Sequence, residues 1–222
     1  MYPTPDQLVN WGAINPAQVV YYGEWWRIVT AMFVHVGIIH LATNMWCLWN
    51  LGLLGEPLLG PLGLFAAYIL SGAAGNLLSI GVNLYFHSAG AVGAGASGAV
   101  FGIAGVLIIL LKSKRLPIPP KELAGLRRYV IYFAAINFVL GFGSMAAGSI
   151  VNVKIDNMAH LGGFLGGILF ALPMVPQIGS PRPLFRFRLR LAVGLLTSVL
   201  VFFGFYISTA FSPGKDVPTE QQ

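Results

Sequence analysis

The sequence predicts an all-α protein, a polytopic membrane helix bundle with six spans, and three observations carry that expectation. Of the 222 residues, 56% are hydrophobic and only 9% are charged, against about 25% charged in an ordinary soluble domain. So few charges cannot cover a globular surface in water, which excludes a soluble enzyme, a disordered chain and a nucleic-acid reader. Six uncharged stretches of 17 residues or more follow one another, at 38–55, 61–82, 88–111, 129–151, 157–178 and 191–212. Each is long enough to cross a hydrocarbon core of about 30 Å as a helix. The basic residues are also segregated. Lys112, Lys114, Arg115, Lys121, Arg127 and Arg128 follow the third run and Arg182, Arg186, Arg188 and Arg190 follow the fifth, while Arg27, Lys154 and Lys215 fall on the other side. By the positive-inside rule the larger group faces the cytoplasm and both termini lie outside.

In chain order, residues 1–37 are an N-terminal segment and interfacial loop. The first ten include Pro3, Pro5 and Asp6 and have no apolar core of a cleaved signal peptide. Residues 11–37 carry Trp11, Tyr21, Tyr22, Trp25, Trp26 and Arg27 among apolar residues. Aromatic rings settle at headgroup level, so this stretch is expected to lie in the outer interface, not to cross. The third run opens on 88–96, too rich in glycine for a good helix, so its helix is expected to start near Ala96 or Ser97. Residues 38–178 form the core, 179–190 a basic cytoplasmic linker, 191–212 a further C-terminal span and 213–222 a polar tail. The single cysteine, Cys47, excludes a disulfide or a cysteine-based metal site within one chain. The basic loops read as topology determinants touching anionic lipid.

Polar side chains inside a span are costly, so each is a functional-site candidate. His40 lies near the outer end of the first span with Asn44 one turn deeper, and positions i and i+4 share a helix face. Ser97 opens the third helix at its outer end, and His160 lies in the first turn of the fifth, also outer. Three helices thus bring a hydroxyl, an imidazole and a further imidazole–amide pair to one depth. Those are parts for acyl transfer. A serine needs a general base to lose its proton as it attacks a carbonyl, and histidine is the usual one. Asn44, His40 and the Ser97 backbone N–H are candidate donors to the oxyanion. The spacing Gly98/Gly102 after the serine, and Gly163/Gly167 after the histidine, allows two membrane helices to pack backbone to backbone.

Each piece has a plainer reading when taken alone. A membrane serine commonly bonds its own backbone, a histidine can serve as an interhelical hydrogen-bonding residue, and GxxxG can be packing only. His35, His40 and His160 offer imidazoles to a metal, but no carboxylate inside a span completes a zinc set, and no metal is expected. Asp156, one turn before His160, is a candidate third member, although its place at the span boundary favours an ordinary interfacial role.

Taken together these motifs resemble the rhomboid family of intramembrane serine proteases, from about Trp11 to Pro173. Gly95-Ala96-Ser97-Gly98-Ala99-Val100-Phe101-Gly102 resembles the family's GxSGxxxG box, with Ser97 as nucleophile. Ala159-His160-Leu161-Gly162-Gly163 with Gly167 resembles its AHxxGxxxG box, with His160 as base. His35-Val36-Gly37-Ile38-Ile39-His40-Leu41-Ala42-Thr43-Asn44 resembles HxxxxHxxxN, which implies His40 and Asn44 for the oxyanion hole and a structural role for His35. Trp26 and Arg27 resemble the WR motif of the first loop, and Glu56 matches a position bracing the inner ends of the early helices. Phe101 stands where the family commonly has a tyrosine ring beneath the catalytic histidine. Nothing before Trp11 is expected to cross, so the six runs correspond to the family's second to sixth spans plus one C-terminal span.

The resemblance implies a serine endopeptidase cleaving single-span transmembrane proteins near the outer leaflet with a Ser97–His160 dyad, without metal, nucleotide or redox cofactor. Substrate would arrive laterally between 38–55 and 129–151. The competing class is a catalytically inactive relative that binds transmembrane clients; such relatives usually lack the serine or the histidine, and both are present here. A multi-pass protein of a bacterial or archaeal plasma membrane, with its site on the extracytoplasmic side, is the expected setting.

Overall fold

The computed structural model describes residues 3–113, 116, 118–146, 156–177 and 181–211. Lys114, Arg115, Lys154 and the tail 213–222 with Lys215 lie outside the described residues, as do the ends of the fourth and fifth apolar runs. The described residues are helical apart from loops and one isolated antiparallel bridge, Ile14 with Gly93.

The N-terminal segment folds as short turns, each started by a local signal. Helix α1 (Pro5–Asn10) has proline in its first turn and a capping box, in which Gln7 N donates to Thr4 Oγ1 (3.3 Å) and Thr4 N donates to Gln7 Oε1 (2.9 Å). Helix α2 (Pro16–Val20) is capped by Asn15, and α3 (Arg27–Thr30) runs into a 3-10 turn (Ala31–Phe33). None of these is long enough to cross a bilayer.

Helix α4 (Ile38–Tyr85) contains 48 residues and is broken at Gly60, whose φ of +70° lies in the left-handed region, between Pro57 and Pro61. Proline lacks the donor that would continue the ladder and glycine accepts the left-handed turn, so the chain divides there into arms 38–59 and 61–85. Helix α5 (Ser97–Leu110) is apolar all round and buried at every residue from 98 to 107, which makes it the central helix. Helix α6 (Pro120–Ala146) packs on α5, α7 (Asn157–Ala171) continues into a 3-10 turn (Leu172–Gln177), and α8 (Arg182–Ala210) closes the bundle.

Two predicted runs thus share α4, and the first nine residues of the third run form the loop ahead of α5. The fourth run extends past the described residues. Among the described residues, three helical stretches qualify as membrane spans on length and composition: Ile38–Tyr85, Asn157–Val175 and Arg182–Ala210. These apolar helices and their packing make a helical multi-pass membrane bundle.

The tightest contacts join α5, α7 and the second arm of α4. A Cβ at Gly163 would strike the carbonyl of Gly98, one at Gly167 the carbonyl of Gly102, and one at Gly75 the carbonyl of Ala159. Backbone therefore lies on backbone along this seam, which only small residues permit. Below it, Leu59, Val106, Leu110, Phe170, Met174 and Leu196 form one apolar cluster; toward the other end, Ile14, Val19, Leu77, Ile80, Leu84 and Ile207 form another.

Candidate active site

The loop ahead of α5 is pinned from two directions. Ile14 and Gly93 exchange backbone bonds (2.8 and 3.0 Å), Ala17 N donates to Ala89 O (3.1 Å), and Gly95 N donates to Ala31 O (3.0 Å). Gly95 has a φ of +133°, and a Cβ there would lie 2.6 Å from His40 Cε1 and 3.0 Å from His40 Nε2. Glycine is required at this position by both backbone conformation and space. It lets the loop pass directly against α4, and Ser97 then starts α5.

His160 reaches the same place from α7. Asp156 caps that helix, its Oδ1 accepting from Met158 N (3.1 Å) and Ala159 N (2.9 Å), while its Oδ2 accepts from the Ser79 hydroxyl of α4. One turn further on, His160 is 5% exposed and its Nε2 lies 2.8 Å from Ser97 Oγ. With Nε2 unprotonated the hydroxyl donates, the arrangement a general base requires. The Phe101 ring stacks on the imidazole, centroids 4.3 Å apart and planes 19° from parallel, and Phe138 meets both rings edge-on. His160 Nδ1 has no hydrogen-bond partner among the described residues. Asp156 spends its oxygens on the helix cap and on Ser79, so it acts on His160 through the backbone of the first turn.

His40 and Asn44 stand on the other side of Gly95, two residues from the serine. Asn44 is 6% exposed, and its Nδ2, a donor with no partner among the described residues, is 3.7 Å from the Cβ position of Gly95. His35 sits outside the helices, its ring edge-on to His40 at 5.2 Å, with its Nε2 facing Ala96 N at 3.4 Å. Burial lowers the His35 pKa below 6.5, an effect partly offset by its hydrogen bond with the Phe33 backbone. Gly98 lies against the Ala159 carbonyl, 3.2 Å from its Cβ position, next to the histidine's turn.

The structure thus gathers Ser97, His160, Phe101, Gly98, His40, Asn44 and His35, whereas Trp26 and Arg27 do other work. Arg27 is buried and donates to the carbonyls of Val9 (2.5 Å) and Ala13 (3.1 Å) and to Glu24 (2.6 Å), under the half-exposed Trp26 ring. It ties the N-terminal segment together. Glu56 is exposed. Two contributors, Phe138 and Ser79, are not singled out by the sequence, and a third, Gly95, is visible there only as a motif position. Phe138 carried no signal among 15 phenylalanines. Ser79 was visible as a polar residue inside an apolar run. The role of Gly95 needed its φ.

A family model for the rhomboid domain matches residues 22–177, which contain every member of this cluster. The chain belongs to the rhomboid family. It is 34% identical over 202 residues to Rhomboid protease GluP of Bacillus subtilis (strain 168), covering 90% of this chain and 35% of that protein. It is 32% identical over 177 residues to RHOMBOID-like protein 7 of Arabidopsis thaliana, covering 79% and 51%. It is 33% identical over 179 residues to RHOMBOID-like protein 6, mitochondrial, of the same plant, covering 80% and 53%. This rhomboid chain therefore spans between about a third and a half of the length of these relatives.

Proposed function

We propose that this rhomboid is an intramembrane serine endopeptidase, and the single observation that carries the reading is the 2.8 Å contact between Ser97 Oγ and His160 Nε2. Ser97 attacks the scissile carbonyl as its proton passes to His160 Nε2. The oxyanion is held by the Ser97 amide, Asn44 Nδ2 and His40, and each such donor is worth about 3 kcal/mol of transition-state stabilisation. His160 then returns the proton to the leaving amine, and water hydrolyses the acyl-enzyme by the same route in reverse. The pair works as a dyad. Stacking on Phe101 and the capped first turn of α7 supply the orientation that a carboxylate provides in a triad.

The substrates are single-span transmembrane proteins reaching the site laterally between 38–55 and 129–151. The chain crosses six times, α4 twice, since 48 residues at about 1.5 Å each give about 72 Å, over twice the hydrocarbon core. Ten of the 13 basic residues then face the cytoplasm, and the dyad opens to the extracytoplasmic side of a cell membrane.

The test is cleavage of a labelled single-span substrate by the purified chain, with Ser97→Ala and His160→Ala run beside it. Product from the parent and a loss of about 10⁴-fold or more in each variant, with unchanged thermal unfolding, is expected. Cleavage persisting in Ser97→Ala removes the dyad from consideration. No cleavage by the parent, with the substrate still co-purifying, points to the client-binding class.

A further inference from the structure

At the far end of the bundle from the serine loop, the first turns of α8 form a second feature with its own chemistry. Arg182, Arg186 and Arg190 recur every four residues, so they stand in one column along about 12 Å of helix. All three are exposed, and with Pro183 and Phe187 they line an open cavity of about 460 Å³. All five lining residues belong to α8, so the cavity is open along one side of the helix. The one ion pair among the described residues is Arg27 with Glu24, so no described carboxylate neutralises this column. Arg188 lies on another face of the helix and donates to Pro173 O at 3.3 Å. The remaining inward positions, Phe185, Leu189, Val193 and Leu196, pack into the bundle.

A second lane starts at the cavity's own wall. Phe187, Leu191, Leu195 and Val199 also recur every four residues, and they are 61%, 50%, 41% and 42% exposed. One helix therefore presents a column of unneutralised guanidinium groups and, beside it, an apolar strip running toward the hydrocarbon. Guanidinium forks match phosphate oxygens in bidentate geometry, and basic pockets at the cytoplasmic end of membrane helices accept lipid headgroups.

We propose that this cavity is a binding site for one anionic glycerophospholipid of the inner leaflet. Its phosphate sits among Arg182, Arg186 and Arg190, and an acyl chain lies along Phe187, Leu191, Leu195 and Val199. Charge complementarity selects an anionic headgroup, and the apolar strip that begins at Phe187 selects a lipid over a soluble phosphate ester.

Native mass spectrometry of the delipidated full chain, titrated with phosphatidylglycerol or with phosphatidylcholine of the same acyl chains, tests this. At least tenfold tighter retention of phosphatidylglycerol is expected. The combined variant Arg182→Gln, Arg186→Gln, Arg190→Gln should fall to the phosphatidylcholine level. The combined variant Lys112→Gln, Arg127→Gln, Arg128→Gln removes the same charge elsewhere on the cytoplasmic side and should stay within twofold of the parent. Arg186→Gln alone, at the centre of the column, should lose at least threefold and serves if the triple variant unfolds. Glycerol 3-phosphate at equal concentration should not displace the lipid. Equal retention of the two lipids, equal loss in the two triple variants, or displacement by glycerol 3-phosphate would each overturn the site; the last two outcomes would mean diffuse charge and a simple anion site, respectively.

Discussion

Replacing Gly167 by alanine tests whether the glycine seam holds the dyad at working distance. An alanine Cβ there would lie 2.7 Å from Gly102 C and 2.9 Å from Gly102 Cα, and closer still to the Gly102 carbonyl oxygen. Ordinary carbon contacts need about 3.5–4.0 Å, so α5 and α7 must part by about 1 Å. Overpacking of this kind costs about 1–3 kcal/mol. Gly167 lies seven residues beyond His160, and Gly102 five beyond Ser97. If the helices part as rigid bodies, the 2.8 Å contact opens to about 3.8 Å, past the reach of about 3.2 Å that proton transfer requires. A misplacement of that size is worth about 10²-fold in rate. The assay pairs the initial rate on a single-span substrate with thermal unfolding. Gly194→Ala is the control, because nothing lies within 4 Å of its Cβ position, and alanine in a helix interior is favoured over glycine by up to about 1 kcal/mol. A Gly167→Ala variant that keeps both the parent's rate and its melting temperature would show that the seam tolerates the extra methyl. A drop in stability without a drop in rate would show that the seam holds the fold but not the distance between Ser97 and His160.

Other parts of the molecule give their own expectations. Asp156→Ala removes the acceptor for Met158 N and Ala159 N together with the Ser79 contact, and should cost about 1–2 kcal/mol in thermal unfolding. Asp156→Asn keeps a capping oxygen and should recover most of that; equal losses would refute the cap. Arg27→Ala should cost about 3 kcal/mol, because it empties a buried position serving Val9, Ala13 and Glu24. Arg27→Lys, lacking the planar fork, should restore less than half, and full restoration would show that charge alone suffices. Because burial holds the His35 pKa below 6.5, the unfolded chain takes up this proton first as pH falls. Its contribution to stability is thus complete above 6.5 and is lost as pH drops toward the lower folded value. The parent should lose more stability than His35→Asn between about pH 7 and pH 5, and parallel curves would contradict this.

The sequence by itself determined the membrane class and the helical architecture, since hydrophobicity and helix propensity belong to each residue and its near neighbours. The glycine-rich stretch 88–96 read as a loop, and the helix after it begins at Ser97. The types of residue in the site were legible for the same reason: a histidine, an asparagine and a serine are conspicuous in apolar runs because burying them is costly. What the tertiary structure decided was which of them meet. Ser97 and His160 are 63 residues apart, and the GxxxG spacing near each is common in a chain with 28 glycines. Only the observed seam, with Gly163 on Gly98 and Gly167 on Gly102, selects one pairing of helices and one register. Arg27 shows the same division. Its neighbourhood of tryptophans suits an interfacial segment, yet the carbonyls it serves lie 14 and 18 residues earlier, and nothing local encodes that. Asp156 caps the helix of His160 through bonds two and three residues along the chain, a local role, and the third dimension adds the contact of its second oxygen with Ser79. Local pattern states what each segment can bury; which partner buries it depends on shape matched across the whole bundle, a property of many residues at once.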